Sequence, residues 1–160
     1  MFLNIEMKLI RVLADIEIEG IAVDTDVINS LNEDLKVKVD NLEKQIYSLA
    51  GEEFNINSTK KLGEVLFDHL QLPPVKKTKT GYSTGAEVLD KLKHLHPIIP
   101  AILDYRMLTK LNSTYAEGLL KAVDADDRIR TRFQMTATAT GRLSSAEPNL
   151  QNIPTRTEVG

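Results

Sequence analysis

Apolar residues recur at Ile28, Leu31, Leu35, Val39, Leu42, Ile46 and Leu49, in steps of three or four. That spacing lines them up on one stripe of a helix. The helix is predicted from a cap at Asp24 or Thr25 to a stop at Gly51. A second stripe runs through Ile98, Ile102, Tyr105, Leu108, Leu111, Tyr115 and Leu119. Two long helices with matching stripes, about 24–50 and 97–121, bury them most simply as an antiparallel pair. At 1.5 Å per residue the first extends roughly 40 Å. Residues 51–96 then form a tip with two short helices. One begins near Ser58 and ends by Leu72, ahead of Pro73 and Pro74. The other opens after Thr84, where Thr84–Glu87 has capping-box spacing, and ends near His94 ahead of Pro97. An amphipathic helix over 2–18 precedes the long one, with Phe2, Ile5, Leu9, Val12, Leu13 and Ile16 on one side and Gly20 as its stop.

From Arg128 the period changes to two. Ile129, Thr131, Phe133 and Met135 alternate with Arg128, Arg130, Arg132 and Gln134, which reads as a strand over 128–135. A turn or second strand around Thr138–Leu143 completes a hairpin. The fold class is therefore mainly α with a small β hairpin (α+β). Standing alone, strand 128–135 keeps an unpaired edge. Local disorder, or pairing with a second copy of the chain, is the expected result.

At 160 residues the chain is long enough for a real core, and its 42% hydrophobic and 27% charged fractions are ordinary for a globular protein. There is no cysteine, which excludes disulfides, thiolate metal sites and cysteine nucleophiles. Charges interrupt the first fifteen residues, so no signal peptide is read there, and no apolar run approaches a membrane span. The net charge of −3 is uneven. Residues 1–70 carry 7 basic and 14 acidic side chains, whereas residues 71–160 carry 13 and 9. A polyanion would favour the C-terminal half.

Catalytic patterns are absent from the sequence. His69, His94 and His96 are scattered, without metal-ligand or triad spacing. Asp124, Asp126 and Asp127 read as a solvated turn before the strand. Binding chemistry is better represented. Lys76, Lys77 and Lys79 lie among Thr78, Thr80, Ser83 and Thr84, and lysines with hydroxyls suit phosphate oxygens. The bland alternative is a solvated loop. Asn55, Asn57 and Ser58 open the first tip helix, where free amides suit an anion and simple capping serves equally. Arg106 and Lys110 share a helix face near Ser113 and Thr114. Residues 136–156 pack Thr, Ser, Asn and Gln around Gly141, Arg142 and Arg156 with almost no acid. Such side chains exchange hydrogen bonds without carrying charge, and Arg142, Asn149, Gln151 and Asn152 suit the acceptors that every base pair presents in the minor groove.

The same stretch carries a resemblance. T-A-T-A-T-G-R-L-S-S at 136–145, followed by P-N-L-Q-N-I-P-T-R-T at 148–157, resembles the thumb–palm junction of family A DNA polymerases, the bacterial DNA polymerase I type. F-N-I-N-S at 54–58, K-T-G-Y-S-T at 79–84 and Y-R-M-L-T-K-L-N-S-T-Y at 105–115 match in the same order. The resemblance implies a helix and link at the palm base over 1–23, a thumb over 24–122 and the beginning of the palm over 123–160. It implies a cytoplasmic parent enzyme acting in replication and repair, which extends a primer along a DNA template from deoxynucleoside triphosphates with two Mg²⁺ ions. The metal-binding carboxylates of such enzymes lie downstream of the matching segment, so the 160 residues are expected to hold no catalytic residue and no metal of their own. Their expected partner is primer–template duplex DNA, gripped through Asn55, Asn57, Ser58, Lys77, Lys79, Ser83, Thr84, Arg106, Lys110, Ser113, Thr114, Arg142, Asn149, Gln151, Asn152 and Arg156. A non-catalytic nucleic-acid-binding module and a helical-hairpin protein-interaction domain stay open as alternatives.

Overall fold

The structure, a computed structural model, describes residues 5–75, 77–78 and 81–153, without the side chains of 77 and 78. The chain forms two compact units, one over 33–111 and the other joining 1–32 to 112–160.

Helix α2, Thr25–Ala50, has the predicted bounds. Asp24 caps it, its Oδ1 accepting from Val27 N at 3.1 Å, and Gly51 ends it at φ 77°. Every residue of the predicted stripe is buried or half-buried, Leu35 and Ile46 completely. In the 33–111 unit, Ile46, Val39, Leu42 and Leu49 share one core with Ile98, Ile99, Ile102 and Tyr105 of α5, Ile98–Leu111. Leu62, Leu66, Leu89 and Leu92 from the tip fill the same core.

The first tip helix is shorter than predicted. Helix α3 covers Thr59–Gly63 and gives way to a π-helical stretch, Glu64–His69. Val65, Leu66 and Phe67 are all buried there. Three consecutive inward side chains exceed one α-helical face, and the wider turn accommodates them. The basic loop contains a small hairpin, β2 (Lys77–Thr78) with β3 (Gly81–Tyr82), Lys77 lying opposite Tyr82. Helix α4, Ala86–Leu92, follows. Its N-cap is Gly85 with no side-chain cap bond, so the predicted capping box does not form. Thr84 is engaged by Arg106 instead.

The predicted helix over 97–121 is also interrupted. After α5 the chain passes through a π-helical stretch, Asn112–Ala116, into α6, Glu117–Ala122. Short polar side chains, here Asn112, Ser113 and Thr114, favour departures from the regular backbone ladder.

In the 1–32 and 112–160 unit, α1 runs Met7–Glu19 and fully buries only Leu13. Ile5, Val12 and Ile16 of the predicted apolar face are exposed, as are Ile10 and Ile18. Gly20 follows at φ 69°. A Cβ there would meet Arg130 Cγ at 2.9 Å and the Ile129 carbonyl at 3.0 Å. Strand β1, Ile21–Ala22, pairs antiparallel with β4, Arg128–Ile129, setting Ile21 opposite Ile129. Val123 bridges Ile129 as well. The predicted single strand is thus divided. Arg130 and Thr131 separate β4 from β5, Arg132–Gln134, which pairs with β6, Ser144–Ala146. The hairpin partner lies just beyond the predicted 138–143, which form the turn. The expected open edge is covered within the chain: Phe133 N donates to Glu17 Oε1 of α1 at 2.6 Å.

Candidate nucleic-acid interface

In the 33–111 unit the tip gathers four of the predicted residues. Asn57, Ser83, Thr84 and Arg106 line one open groove with Thr59 and Tyr82. Arg106 projects from α5 and donates through Nη1 to the Thr84 carbonyl at 2.5 Å and through Nη2 to Thr84 Oγ1 at 3.4 Å. Thr84 is buried. Partial burial lowers the Arg106 pKa from its ordinary value, but a guanidinium stays charged throughout. Two of its five N–H donors serve Thr84, and the guanidinium borders the groove. Tyr82 fastens this wall. Its ring lies 4.8 Å from that of Phe67 and its hydroxyl donates to Asp68 Oδ1 at 2.8 Å. Tyr82 lay within the K-T-G-Y-S-T match but was not named as a site residue, and nothing in the sequence singled out Asp68; their pairing depends on the hairpin folding back.

Asn55 and Ser58 do local work. Asn55 Oδ1 accepts from Asn57 N at 3.0 Å, and Ser58 caps α3 by accepting from Lys61 N at 3.3 Å. Lys110 is exposed one turn beyond Arg106 and does not line the groove. Ser113 and Thr114 are exposed on the π-helical stretch, in the other unit. Lys77 is described in its backbone alone, and Lys76, Lys79 and Arg156 lie outside the described residues.

In that other unit, Arg142 is exposed at the end of a turn closed by Thr138 Oγ1, which donates to the Arg142 carbonyl at 2.7 Å. Gly141, at φ 75°, permits the turn. Asn149 Oδ1 accepts from Gln151 N at 3.0 Å. Gln151 Nε2 donates to the Leu143 carbonyl at 3.0 Å, tying this loop to the residue beside Arg142. The Asn152 carbonyl accepts from the Tyr115 hydroxyl. Beneath the loop, Thr131 and Ser145 are buried with their hydroxyl oxygens 2.6 Å apart. Alternation had placed Thr131 inward, and a buried hydroxyl demands a partner; which partner was not legible.

The family profile of DNA polymerase family A matches residues 25–160. The chain belongs to that family. DNA polymerase I of Geobacillus stearothermophilus is 54% identical over 158 residues, covering 98% of this chain and 18% of that protein. DNA polymerase I of Caldicellulosiruptor bescii is 52% identical over 158 residues, 98% and 19% respectively. The chain thus spans about a fifth of the length of these relatives. Among solved structures it is similar to the POL domain of Pol1 from M. smegmatis, in complex with DNA primer-template and dNTP. The TM-score is 0.88 and the identity 45%, over 98% of this chain and 28% of that one.

The divalent ions that family A chemistry implies do not fit the described residues. No group of three or more His, Asp or Glu gathers among them. Asp124 and Asp126 of the acidic turn are bound to Arg130 at 2.7 and 2.6 Å. His96 Nδ1 accepts from Ile98 N at 3.2 Å, and His69 Nδ1 lies 2.7 Å from Glu52. No helix of the described residues is long and apolar enough to cross a membrane.

Proposed function

We propose that these residues grip primer–template duplex DNA as the thumb, 24–122, and the beginning of the palm, 123–160, of a cytoplasmic DNA-directed DNA polymerase. The observation that carries this is the convergence of Asn57, Ser83, Thr84 and Arg106 on one open groove, in a chain whose structural relative was solved with primer-template. A guanidinium bordering a groove lined by hydroxyls and an amide recognises a phosphate backbone. Lys77, Lys79, Lys110, Ser113, Thr114 and Arg156 extend the phosphate contacts in this reading, with Asn55 and Ser58 shaping the helix start. Arg142 and Asn149 offer donors to the minor groove, and Gln151 and Asn152 complete that surface. The whole enzyme would add deoxynucleotides using two Mg²⁺ ions held outside these residues.

Titration of labelled duplexes of unrelated sequence at several salt concentrations tests the reading. Affinity should be independent of sequence and fall with salt, each neutralised phosphate contributing about −0.9 to the log–log slope. A flat salt response, or strong preference for one sequence, would reject it.

A further inference from the structure

The backbone on either side of Asn149 is held by two buried hydroxyls. Leu150 N donates to Ser145 Oγ at 3.1 Å. Ser145 Oγ lies 2.6 Å from Thr131 Oγ1. Thr131 Oγ1 lies 2.7 Å from the Pro148 carbonyl, nearer than the 3.2 Å to the Ala146 carbonyl. Each hydroxyl has one proton to give. Ser145 Oγ also lies 3.2 Å from the Pro148 carbonyl, so either hydroxyl can give to the other; on the shorter contacts, Leu150 N–H gives to Ser145, Ser145 O–H gives to Thr131, and Thr131 O–H gives to the Pro148 carbonyl. The chain of donors begins and ends on the two peptide groups that flank one residue. Buried hydrogen bonds running in one direction reinforce each other.

Asn149 is exposed, and its Oδ1 is taken by Gln151 N. With Oδ1 so engaged, Nδ2 is the donor the side chain has to offer. Side-chain aim then depends on backbone orientation at 149, which the hydroxyl pair sets. We infer that Thr131 and Ser145 are positioning residues, acting through Asn149 to aim its amide donor at a base edge of bound duplex. The inference rests on the minor-groove reading of Asn149 above.

The test uses the full-length polymerase carrying this chain, with a primer–template duplex as probe. Asn149→Ala should weaken binding of a matched primer end about tenfold, within the range of one base-edge contact. Thr131→Val keeps the shape and removes the hydroxyl, and should cause a similar loss. Thr131→Ser, which restores the proton, should bind like the parent. The double variant Asn149→Ala, Thr131→Val should bind no more weakly than Asn149→Ala alone, because one residue acts through the other. Amide exchange at Leu150 should speed up in Ser145→Ala. Additive losses in the double variant, failure of serine to rescue, or a fall in melting temperature large enough to explain weak binding by Thr131→Val would overturn the inference. If Asn149→Ala alone binds normally, the minor-groove reading itself has failed, and the two failures are told apart by that single variant.

Discussion

Arg106 and Thr84 are joined twice, the guanidinium reaching both the carbonyl and the hydroxyl of a buried residue 22 positions earlier in the chain. One side chain of α5 thereby fixes the end of the tip hairpin and the start of α4. Arg106→Ala should lower stability by about 1–3 kcal/mol, since it strands buried polar groups of Thr84. Arg106→Lys should recover less than half, lacking the planar fork. Urea unfolding measures both. A loss within 0.5 kcal/mol, typical of a surface substitution, would confine Arg106 to ligand contact.

Gly20 and Gly51 have similar positive φ, 69° and 77°, but opposite surroundings. Around Gly51 a Cβ meets nothing within 4 Å, whereas at Gly20 it collides with Arg130 and Ile129. Gly51→Ala should cost about 1–2 kcal/mol for the left-handed backbone alone. Gly20→Ala should cost more, adding displacement of the β1–β4 pair. Thermal unfolding of the two variants side by side decides it, and equal losses would contradict the packing argument.

Two ionisable groups set opposite ends of the pH range. The Arg130 guanidinium holds the Asp126 carboxyl below its usual range through hydrogen bonds to both oxygens. A depressed carboxylate stabilises fully above its unfolded pKa of about 3.9, and the contribution disappears as pH falls through the lower folded value. Tyr47 is pushed up to about 12, first by its hydrogen bond to Glu43 and then by burial. Its contribution is complete below about 10 and is lost as pH rises through the folded value. Carboxyl NMR should return Asp126 to the ordinary range in Arg130→Gln. Ultraviolet titration, read against Tyr47→Phe, should show an earlier Tyr47 midpoint in Glu43→Gln.

The Arg142 carbonyl accepts from Thr138 Oγ1, and Arg142 is exposed. Under the proposed function, Arg142→Ala in a polymerase containing these residues should leave stability within about 0.5 kcal/mol. Single-turnover extension from a matched primer should fall about tenfold or more, as loss of a base-edge contact worth about 1–3 kcal/mol requires. Lysine should rescue poorly. Normal extension by the alanine variant would remove Arg142 from the interface.

The seam of α2 was legible from Ile28 to Leu49 because a long helix repeats one message over about six turns. Gly51 and the inward side of Ile129 and Thr131 were legible for similar reasons. The two π-helical stretches were not. Val65–Phe67 fit an α-helical pattern until their neighbours in three dimensions require all of them inside. The α1 face misled because amphipathic spacing gives a direction without saying how much of it will be covered. At the interface, residue types announced Arg106, Thr84 and Asn57 as polar candidates. That Arg106 spends two donors on Thr84, and that Gln151 spends one on Leu143, follows from folding and leaves no local trace.

The pairing of Ile21 with Ile129 also has a temporal side. Its two halves leave the ribosome roughly a hundred residues apart, some 5–20 s at ordinary synthesis rates. The contiguous 33–111 stretch contains its own core and has that interval in which to collapse. Helix α1 waits meanwhile for Arg128 and Arg130, whose guanidinium groups later hold the carbonyls of Ile18, Glu19 and Gly20. Slow decoding just before Arg128 would lengthen the interval in which the end of α1 lacks these carbonyl contacts, while leaving the 33–111 core free to form.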